Sequence, residues 1–599
     1  MNLTAASLML ALLQACVAAE QDINVATVRR IRQNMLPHVS PCVDFWSYAC
    51  GNWSLPFVDN FQLAEQRYAV EMTAILADEL QQEQAPQLLQ AMRDYFKACG
   101  KQQSQELKEL KQQQLQLWAW LGKLRQYGLN GVFFEQTVDV AYNDSKRYVL
   151  QLKMPASADL EQLAVDAELQ QFVWQLRDLT ASYDSEESTI QSWSFDELQQ
   201  QIPQINWQMY FEALLTFDLS AVRVEVSDVA YLRAVGQLLQ RSQPSNIAAY
   251  VQLQLAKFMQ QARPKRGSNY DCIQHMRALL PLGMNYIYNR YVYKTRATDM
   301  QQLQALFATL KQVFAKYLTA NRLSLNQQQL AYLRNKLQHM QLQLGNLPPN
   351  ATSSYYNAHY GSISFANDFE HNLLAALQLR TRLQHAPLMQ PHAQLQLDTY
   401  YVNDDLFVAR NAPYFEPERN TLTVPLIFMQ LPFYHQSQHP VFRHSLMGFI
   451  LAHELNHAFE HEGILYDYAG NESPLGASIR QQPAYQLALK CVVQESTTAA
   501  LKERLADVNG LQLAYDAFFG LNHDSSQFAY LPYAFEQRLL APQLFHLNFA
   551  QFFCGRLPIA LGHDMDNVRV YIAQKYLHQF AIDFKCAPTS ATNCSLWRA

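Results

Sequence analysis

The stretch Phe449-Ile450-Leu451-Ala452-His453-Glu454-Leu455-Asn456-His457-Ala458-Phe459 carries the pattern His-Glu-x-x-His inside an apolar run. On an α-helix, residues four apart share a face one turn apart, so His453 and His457 can offer two imidazole nitrogens to one ion. Zn²⁺ suits such a pair, because it takes neutral imidazole, prefers four ligands and in catalytic sites keeps one position for water. Glu454, beside the first histidine, is placed to accept a proton from water whose pKa the metal lowers. The chemistry implied is hydrolysis of an amide bond. The bland alternative is two satisfied histidines on a buried helix. With 17 histidines in the chain, the motif arises by chance in roughly a few per cent of such sequences, so a third ligand has to decide.

Position 463 is Gly463, which rules out the longer pattern with a third histidine. Downstream, Leu501-Lys502-Glu503-Arg504-Leu505-Ala506-Asp507 puts two carboxylates four residues apart on a second helical segment. Glu503 can ligate while Asp507 bonds the outer nitrogen of a ligating imidazole, fixing its tautomer. A solvated Lys-Glu-Arg face is the competing reading, and these residues alone leave both open.

The chain has 599 residues, long enough for more than one core, with 46 basic against 52 acidic side chains and a net charge of −6. No basic block points to nucleic acid. Glycine is sparse, and Leu, Gln and Ala recur at helical spacing, so the class is mainly α. Residues 3–19 form an uncharged, largely apolar run ending Cys16-Val17-Ala18-Ala19, which reads as a cleaved secretory signal over 1–19. No later run is long enough to span a bilayer, so no membrane anchor is expected after cleavage, and the product should be secreted and extracellular. Eight of the nine cysteines then remain, enough for four disulfides. Asn52, Asn143, Asn350, Asn471 and Asn593 head N-glycosylation acceptor triplets, in keeping with a secreted glycoprotein.

Along the chain, Cys42 to Trp53 is dense in aromatics and reads as a packed helix end. From Cys99 to about Leu395 the sequence is glutamine-rich, and its recurring Leu, Trp and Phe favour amphipathic helices of a second lobe over disorder. The pattern breaks at Gly345-Asn346-Leu347-Pro348-Pro349-Asn350, a turn. Near Tyr401 it changes to Phe407-Val408-Ala409-Arg410-Asn411-Ala412-Pro413-Tyr414 and Asn420-Thr421-Leu422-Thr423-Val424-Pro425, which fits a hairpin or sheet edge beside the zinc helix. An extended peptide could add itself there as a further strand, although a purely structural hairpin fits as well.

With these pieces placed, the chain resembles the neprilysin and endothelin-converting enzyme family of zinc metallopeptidases nearly end to end. The carriers are Cys42-Val43-Asp44-Phe45 with Tyr48-Ala49-Cys50-Gly51-Asn52-Trp53, the stretch from Arg410 to Tyr414, His453 to His457, Glu503 to Asp507, Asn548 to Gly555, and Cys594-Ser595-Leu596-Trp597. The resemblance implies one Zn²⁺ per chain held by His453, His457 and Glu503, with Glu454 as general base and Asp507 orienting a ligand. It matches His563-Asp564-Met565-Asp566-Asn567-Val568-Arg569 to a late His and Arg element. His563 would then meet the developing oxyanion, and Arg569 would bind a substrate carbonyl or hold the site. It implies backbone recognition by Asn411 and Ala412, and an apolar pocket of Phe433, Phe449, Ile450, Phe552 and Phe553 for the side chain just after the cleaved bond.

The implied fold is two helical lobes around a large central cavity. A zinc-bearing lobe would combine 20–95 with 396–599, and a capping lobe would cover 96–395. The implied disulfides are Cys42–Cys586, Cys50–Cys554, Cys99–Cys272 and Cys491–Cys594. The expected function is a secreted zinc endopeptidase cutting oligopeptides on the amino side of hydrophobic residues. The alternative is a catalytically silent relative that sequesters peptides or a partner; retention of Glu454, Glu503 and His563 together argues against it. The chain departs from the family pattern at Lys502 and Arg504 around Glu503, at Ala452 before the motif, at Pro413, and in the short segment between Cys491 and Glu503.

Overall fold

The computed structural model describes residues 23–77, 86–101, 116–155, 167–183, 189–348, 351–361, 363–389, 402, 405–494, 496–520, 539–556, 562–587 and 594–598. The expected signal, most of the glutamine-rich run at 101–110, and the acceptors Asn350 and Asn593 lie outside them. The described chain is mainly helical, with two small sheets. None of its helices is long and apolar enough to cross a membrane. It divides into two compact units, Met1–Tyr68 with Tyr293–Asn346 and Asn411–Ala599, and Ala69–Val292 with Leu347–Arg410.

The second unit is a set of amphipathic helices and one four-stranded sheet. Helix Ala167–Tyr183 buries Leu169, Phe172, Val173 and Leu176, a helical stripe, so glutamine-rich sequence here is the outer face of packed helices. Strands β1 (Glu135–Ala141), β2 (Asp144–Lys153), β3 (Gln191–Trp193) and β4 (Val224–Val226) form a sheet of order β1-β2-β4-β3. This sheet corrects the purely helical expectation for the middle of the chain. Its inward positions include Gln136, fully buried, whose backbone is bonded by Asn130 and whose side-chain oxygen lies 3.0 Å from His385 Nε2. A polar residue on the inner face hides a strand from hydrophobic periodicity. Cys99–Cys272 ties two helices of this unit, as expected.

The first unit holds the motif. Its sheet joins β5 (Gln341–Leu344), β6 (Tyr414–Glu416) and β7 (Thr421–Val424) in the order β5-β7-β6, with β5 parallel and β6 antiparallel to β7. The hairpin turns at Asn420, a residue at φ 46°, in the left-handed region that asparagine tolerates. Six of its helices matter below: α1 (Arg296–Ala320), α2 (Gln327–His339), α3 (Phe449–His457), α4 (Leu501–Phe519), α5 (Ala541–Gln551) and α6 (Asp566–Lys575). Because α1 packs on α4, with Tyr317 Oη donating to Asp516 Oδ2 at 2.6 Å, and β5 pairs with β7, residues 293–346 belong with the motif rather than with the middle segment. Residues 69–95 move the other way, since helix Gln87–Cys99 is bridged to Cys272. Both adjustments rest on contacts far apart in sequence, which composition does not reveal.

The expected bridges Cys42–Cys586, Cys50–Cys554 and Cys491–Cys594 close this unit, over separations of 544, 504 and 103 residues. In the chain-entropy model, loops of this size stabilise by roughly 5 kcal/mol each.

Helices α3 and α4 cross in close contact, and the approach depends on Gly510. A Cβ built at that position would lie 2.9 Å from His453 N and 3.0 Å from His453 Cα. Asp507 and Glu503 lie one and two turns before Gly510 on the same face, so this backbone approach turns both carboxylates toward the histidines. Nearly all of α4 is buried, Arg504 and Asp507 included, which excludes the solvated-face reading of this segment. Gly510→Ala is therefore expected to destabilise the fold by about 1–3 kcal/mol through overpacking against backbone. Chemical denaturation measures it, and the substitution should also lower metal affinity, whereas an alanine at exposed Gly100, where φ is −68° and an added Cβ meets nothing nearer than 3.8 Å, should do neither.

Candidate metal centre

His453 and His457 project from α3 as a four-residue spacing requires, with their Nε2 atoms 3.1 Å apart. Glu503 of α4 brings Oε2 to 3.3 Å from His453 Nε2 and 3.4 Å from His457 Nε2. A tetrahedral ion with bonds of about 2.0–2.2 Å sets its ligands about 3.3–3.6 Å apart, so this triangle has the dimensions of one face of a zinc site. Glu454 also contributes: its carboxylate and the two imidazoles each offer an atom within 4.8 Å of the others. His563, from the segment entering α6, places Nε2 3.1 Å from Glu503 Oε2.

Behind the ligand atoms lies a second layer. Asp507 Oδ1 sits 3.0 Å from His453 Nδ1, which leaves Nε2 to face the centre. Arg569 of α6 holds Asp507 in turn, donating from Nε to Oδ2 at 2.7 Å and from Nη2 to Oδ1 at 2.9 Å, while its guanidinium lies 4.9 Å from the Phe553 ring centroid.

The electrostatics favour a cation. Burial disfavours a charged His453 imidazole, yet hydrogen bonding to Asp507 and Glu503 outweighs it and pushes its pKa up to about 10. Burial likewise raises Glu503, but the imidazoles of His453, His457 and His563 hold it far below the usual carboxylate range. Asp507 falls to about 2, Arg569 being the chief influence that overcomes its burial. With neutral imidazoles, the carboxylates Glu454, Glu503 and Asp507 outnumber the one guanidinium beside them, an excess of negative charge that suits a cation. Glu454 is raised above the ordinary carboxylate value, by burial first and against the pull of His457 and His453. A buried carboxylate shifted in that direction is a better proton acceptor.

The centre opens on a cavity of about 580 Å³ in the first unit. His453, Glu454, His457, Glu503, His563 and Arg569 line it. Of the expected pocket residues, Phe449, Ile450, Phe552 and Phe553 reach its wall, as does Ala412. Phe433 and Asn411 stand outside the lining. Phe433 is buried against Phe428, with ring centroids 4.1 Å apart, and Asn411 Nδ2 donates to Glu65 Oε1 at 2.8 Å. Pro413, Tyr414 and Phe415 bring the start of β6, an outer strand of its sheet, to the cavity.

Several contributors escaped the sequence reading. Phe61 joins the aromatic wall, 5.4 Å from Phe552 between ring centroids, and Glu462 and Lys502 pair at 3.1 Å on the rim. The charged run Glu460-His461-Glu462, directly after an apolar helix, was the available signal for the rim. Lys336 of α2 carried no signal. Its fully buried amine donates to Gly463 O and Tyr466 O at 2.6 Å each, and its own carbonyl accepts from Asn420 Nδ2 at 3.0 Å. Burial pushes its pKa down to about 7, against the pull of Asp467, Glu460 and Glu418. One residue, through its side chain and its backbone carbonyl, thus ties the loop after α3 to the turn of the β6–β7 hairpin.

Two models described as peptidase family M13 match residues 411–596 and 154–348, between them well over half of the sequence, and the chain belongs to this family. Endothelin-converting enzyme 1 of Mus musculus is 29% identical over 207 residues, covering 31% of this chain and 26% of that protein. Neprilysin-1 of Caenorhabditis elegans is 22% identical over 460 residues, covering 67% of this chain and 59% of that protein. The matches span less than two thirds of the length of these curated relatives. In fold the chain is similar to the zinc metalloprotease Zmp1 of Mycobacterium tuberculosis, with TM-score 0.73, 15% identity and coverage of 94% of this chain and 97% of that one. PepO of Lactobacillus rhamnosis is comparable, with TM-score 0.70, 15% identity and coverage of 94% and 100%.

If Glu503 closes the ligand triangle, Glu503→Ala should lose metal on dialysis while Glu454→Gln retains about one zinc per chain. Elemental analysis distinguishes them. The parent should also melt lower after chelation, since a ligand held at a hundred times its dissociation constant stabilises by about 2.7 kcal/mol.

Proposed function

We propose that this chain is a secreted zinc-dependent endopeptidase that hydrolyses oligopeptides on the amino side of hydrophobic residues. The observation that carries the reading is the convergence of His453, His457 and Glu503 on one point, with Glu454 beside it and His563 on the same cavity. A bound zinc ion would supply Lewis acidity and lower the pKa of water. Glu454 takes the proton of the attacking water and passes it to the departing amine, a task suited to a buried carboxylate with a raised pKa. His563 donates a hydrogen bond to the scissile carbonyl oxygen as negative charge develops there. Asp507 keeps His453 in the tautomer that turns Nε2 inward, and Arg569, engaged by both oxygens of Asp507, holds that acid rather than a substrate carbonyl.

Phe449, Ile450, Phe552 and Phe553 give the cavity an aromatic and aliphatic wall, which supports selection of a large apolar side chain next to the cleaved bond. The outer strand β6 and the preceding Ala412 would take the peptide backbone by strand addition, with the Ala412 carbonyl accepting an N–H. The apolar leader at 3–19 and four disulfides support an oxidising, extracellular destination.

Glu454→Gln is expected to keep zinc and fold while lowering turnover of a fluorogenic peptide roughly 10²–10⁴-fold. Turnover equal to the parent's would remove Glu454 from the mechanism, and a zinc-loaded parent without turnover would favour a silent peptide-binding protein.

Pro413 offers a finer test. It holds Ala412 extended but has no N–H to give a substrate strand. Pro413→Tyr should raise catalytic efficiency on extended peptides more than on dipeptide-sized ones. A long-to-short efficiency ratio that is unchanged or reversed would mean that residue 413 does not face the substrate backbone.

A further inference from the structure

Glu503 and His563 are each followed by a charged residue, and those two residues are joined to one another. Arg504 Nε donates to Asp564 Oδ2 at 2.8 Å, and Thr498 Oγ1 donates to Asp564 Oδ1 at 2.8 Å, so both carboxylate oxygens are engaged. The rest of the guanidinium is spent on backbone and hydroxyl: Nη1 reaches Ser496 O at 2.7 Å and Val492 O at 3.3 Å, and Nη2 reaches Ser496 Oγ at 3.1 Å. The Arg504 side chain is 2% exposed and that of Asp564 15%. Arg504 is one of the positions at which the sequence departs from its family pattern, and the structure gives the departure a partner.

A buried ion pair is weak evidence for stability, because desolvation offsets much of the Coulombic gain; what it can supply is a fixed register. Two pairs connect α4 to the segment 563–569, and their polarities are opposite. Arg504 on α4 meets the acid Asp564, and one turn along, the acid Asp507 on α4 meets Arg569. Sliding the segment by a turn would oppose Arg504 to Arg569 or Asp507 to Asp564, like charges in a buried place, so only one register satisfies both pairs. In that register His563, next to Asp564, brings Nε2 to 3.1 Å from Oε2 of Glu503, the neighbour of Arg504.

We propose that Arg504–Asp564 is a positioning pair that fixes His563 over the metal centre. Arg504 and Asp564 touch neither substrate nor metal and act through their neighbours in sequence. The proposal rests on the peptidase reading for what His563 does, but not for where it is held.

The test compares Asp564→Asn, an isosteric change that removes the charge and turns one of two accepting oxygens into a donor, in the parent and in a His563→Ala background. In the parent, Asp564→Asn should lower kcat by about tenfold, the loss expected of a misplaced oxyanion donor, with KM and zinc content unchanged. In the His563→Ala background the same substitution should change kcat by no more than about twofold, because the group it positions is gone. A second readout needs no turnover. Carbethoxylation of His563 by diethyl pyrocarbonate, mapped by mass spectrometry, should be several-fold faster in Asp564→Asn, while the exposed His38 reacts at the parent's rate. Arg504→Lys, which keeps a charge within reach of Asp564, should fall between parent and Asp564→Asn in both measurements. Equal losses of kcat in the two backgrounds, or His563 reactivity that does not move, would overturn the proposal and reduce the pair to a fold contact. A parent that holds zinc yet cleaves nothing would defeat the peptidase reading alone, and the labelling rates would still decide whether His563 is held by this pair.

Discussion

The backbone approach of α3 to α4 at Gly510 is the constraint on which the metal centre depends. The two histidines are four apart on one helix, so their relation is settled by helical geometry alone. The acids that complete the site come from another helix, and their position is settled by how near two backbones can come. With a Cβ at 510 only 2.9 Å from His453 N, any side chain there would push α4 outward and carry Glu503 and Asp507 with it. Those distances of 3.0 to 3.4 Å are thus set by a residue with no chemical role of its own.

Around that crossing the charges are arranged in layers, each holding the one inside it. Arg569 grips Asp507, Asp507 bonds His453, and His453 faces the centre. The lysine of α2 plays a similar part behind the loop after α3, where its amine satisfies two carbonyls. Each of these groups is buried with its polar atoms largely paired, which is the condition under which buried charge becomes rigidity instead of a penalty.

The motif on α3 was legible because helical spacing and ligand chemistry coincide in five residues. Glu503 and Asp507 were half legible: their spacing was visible, but solvated and ligating readings differ only in burial, which a short charged run does not disclose. His563 looked like a loop histidine until the family likeness placed it. The disulfide pairs came from that likeness as well, since eight cysteines allow 105 pairings in general. Elsewhere the sequence misled. The inward-facing Gln136 disguised a strand, and the packing of 293–346 with the motif depends on partners some two hundred residues away, such as Tyr317 with Asp516. Lys336 could not have been found by pattern, because a lysine on an amphipathic helix is ordinarily a solvated residue.

The first unit is stitched from the distant ends of the sequence, and this imposes an order in time. Cys42 and Cys50 leave the ribosome some five hundred residues before Cys586 and Cys554 exist to receive them. The histidines of α3 likewise precede Glu503, and Trp597, which packs against Phe459 just beyond the motif, comes later still. Throughout synthesis the early cysteines are thiols without their proper mates, while the middle of the chain already possesses both halves of its own bridge, Cys99 and Cys272. The part of the molecule that carries the chemistry is therefore the part that must wait, and its thiols need protection from wrong partners while some five hundred further residues are made.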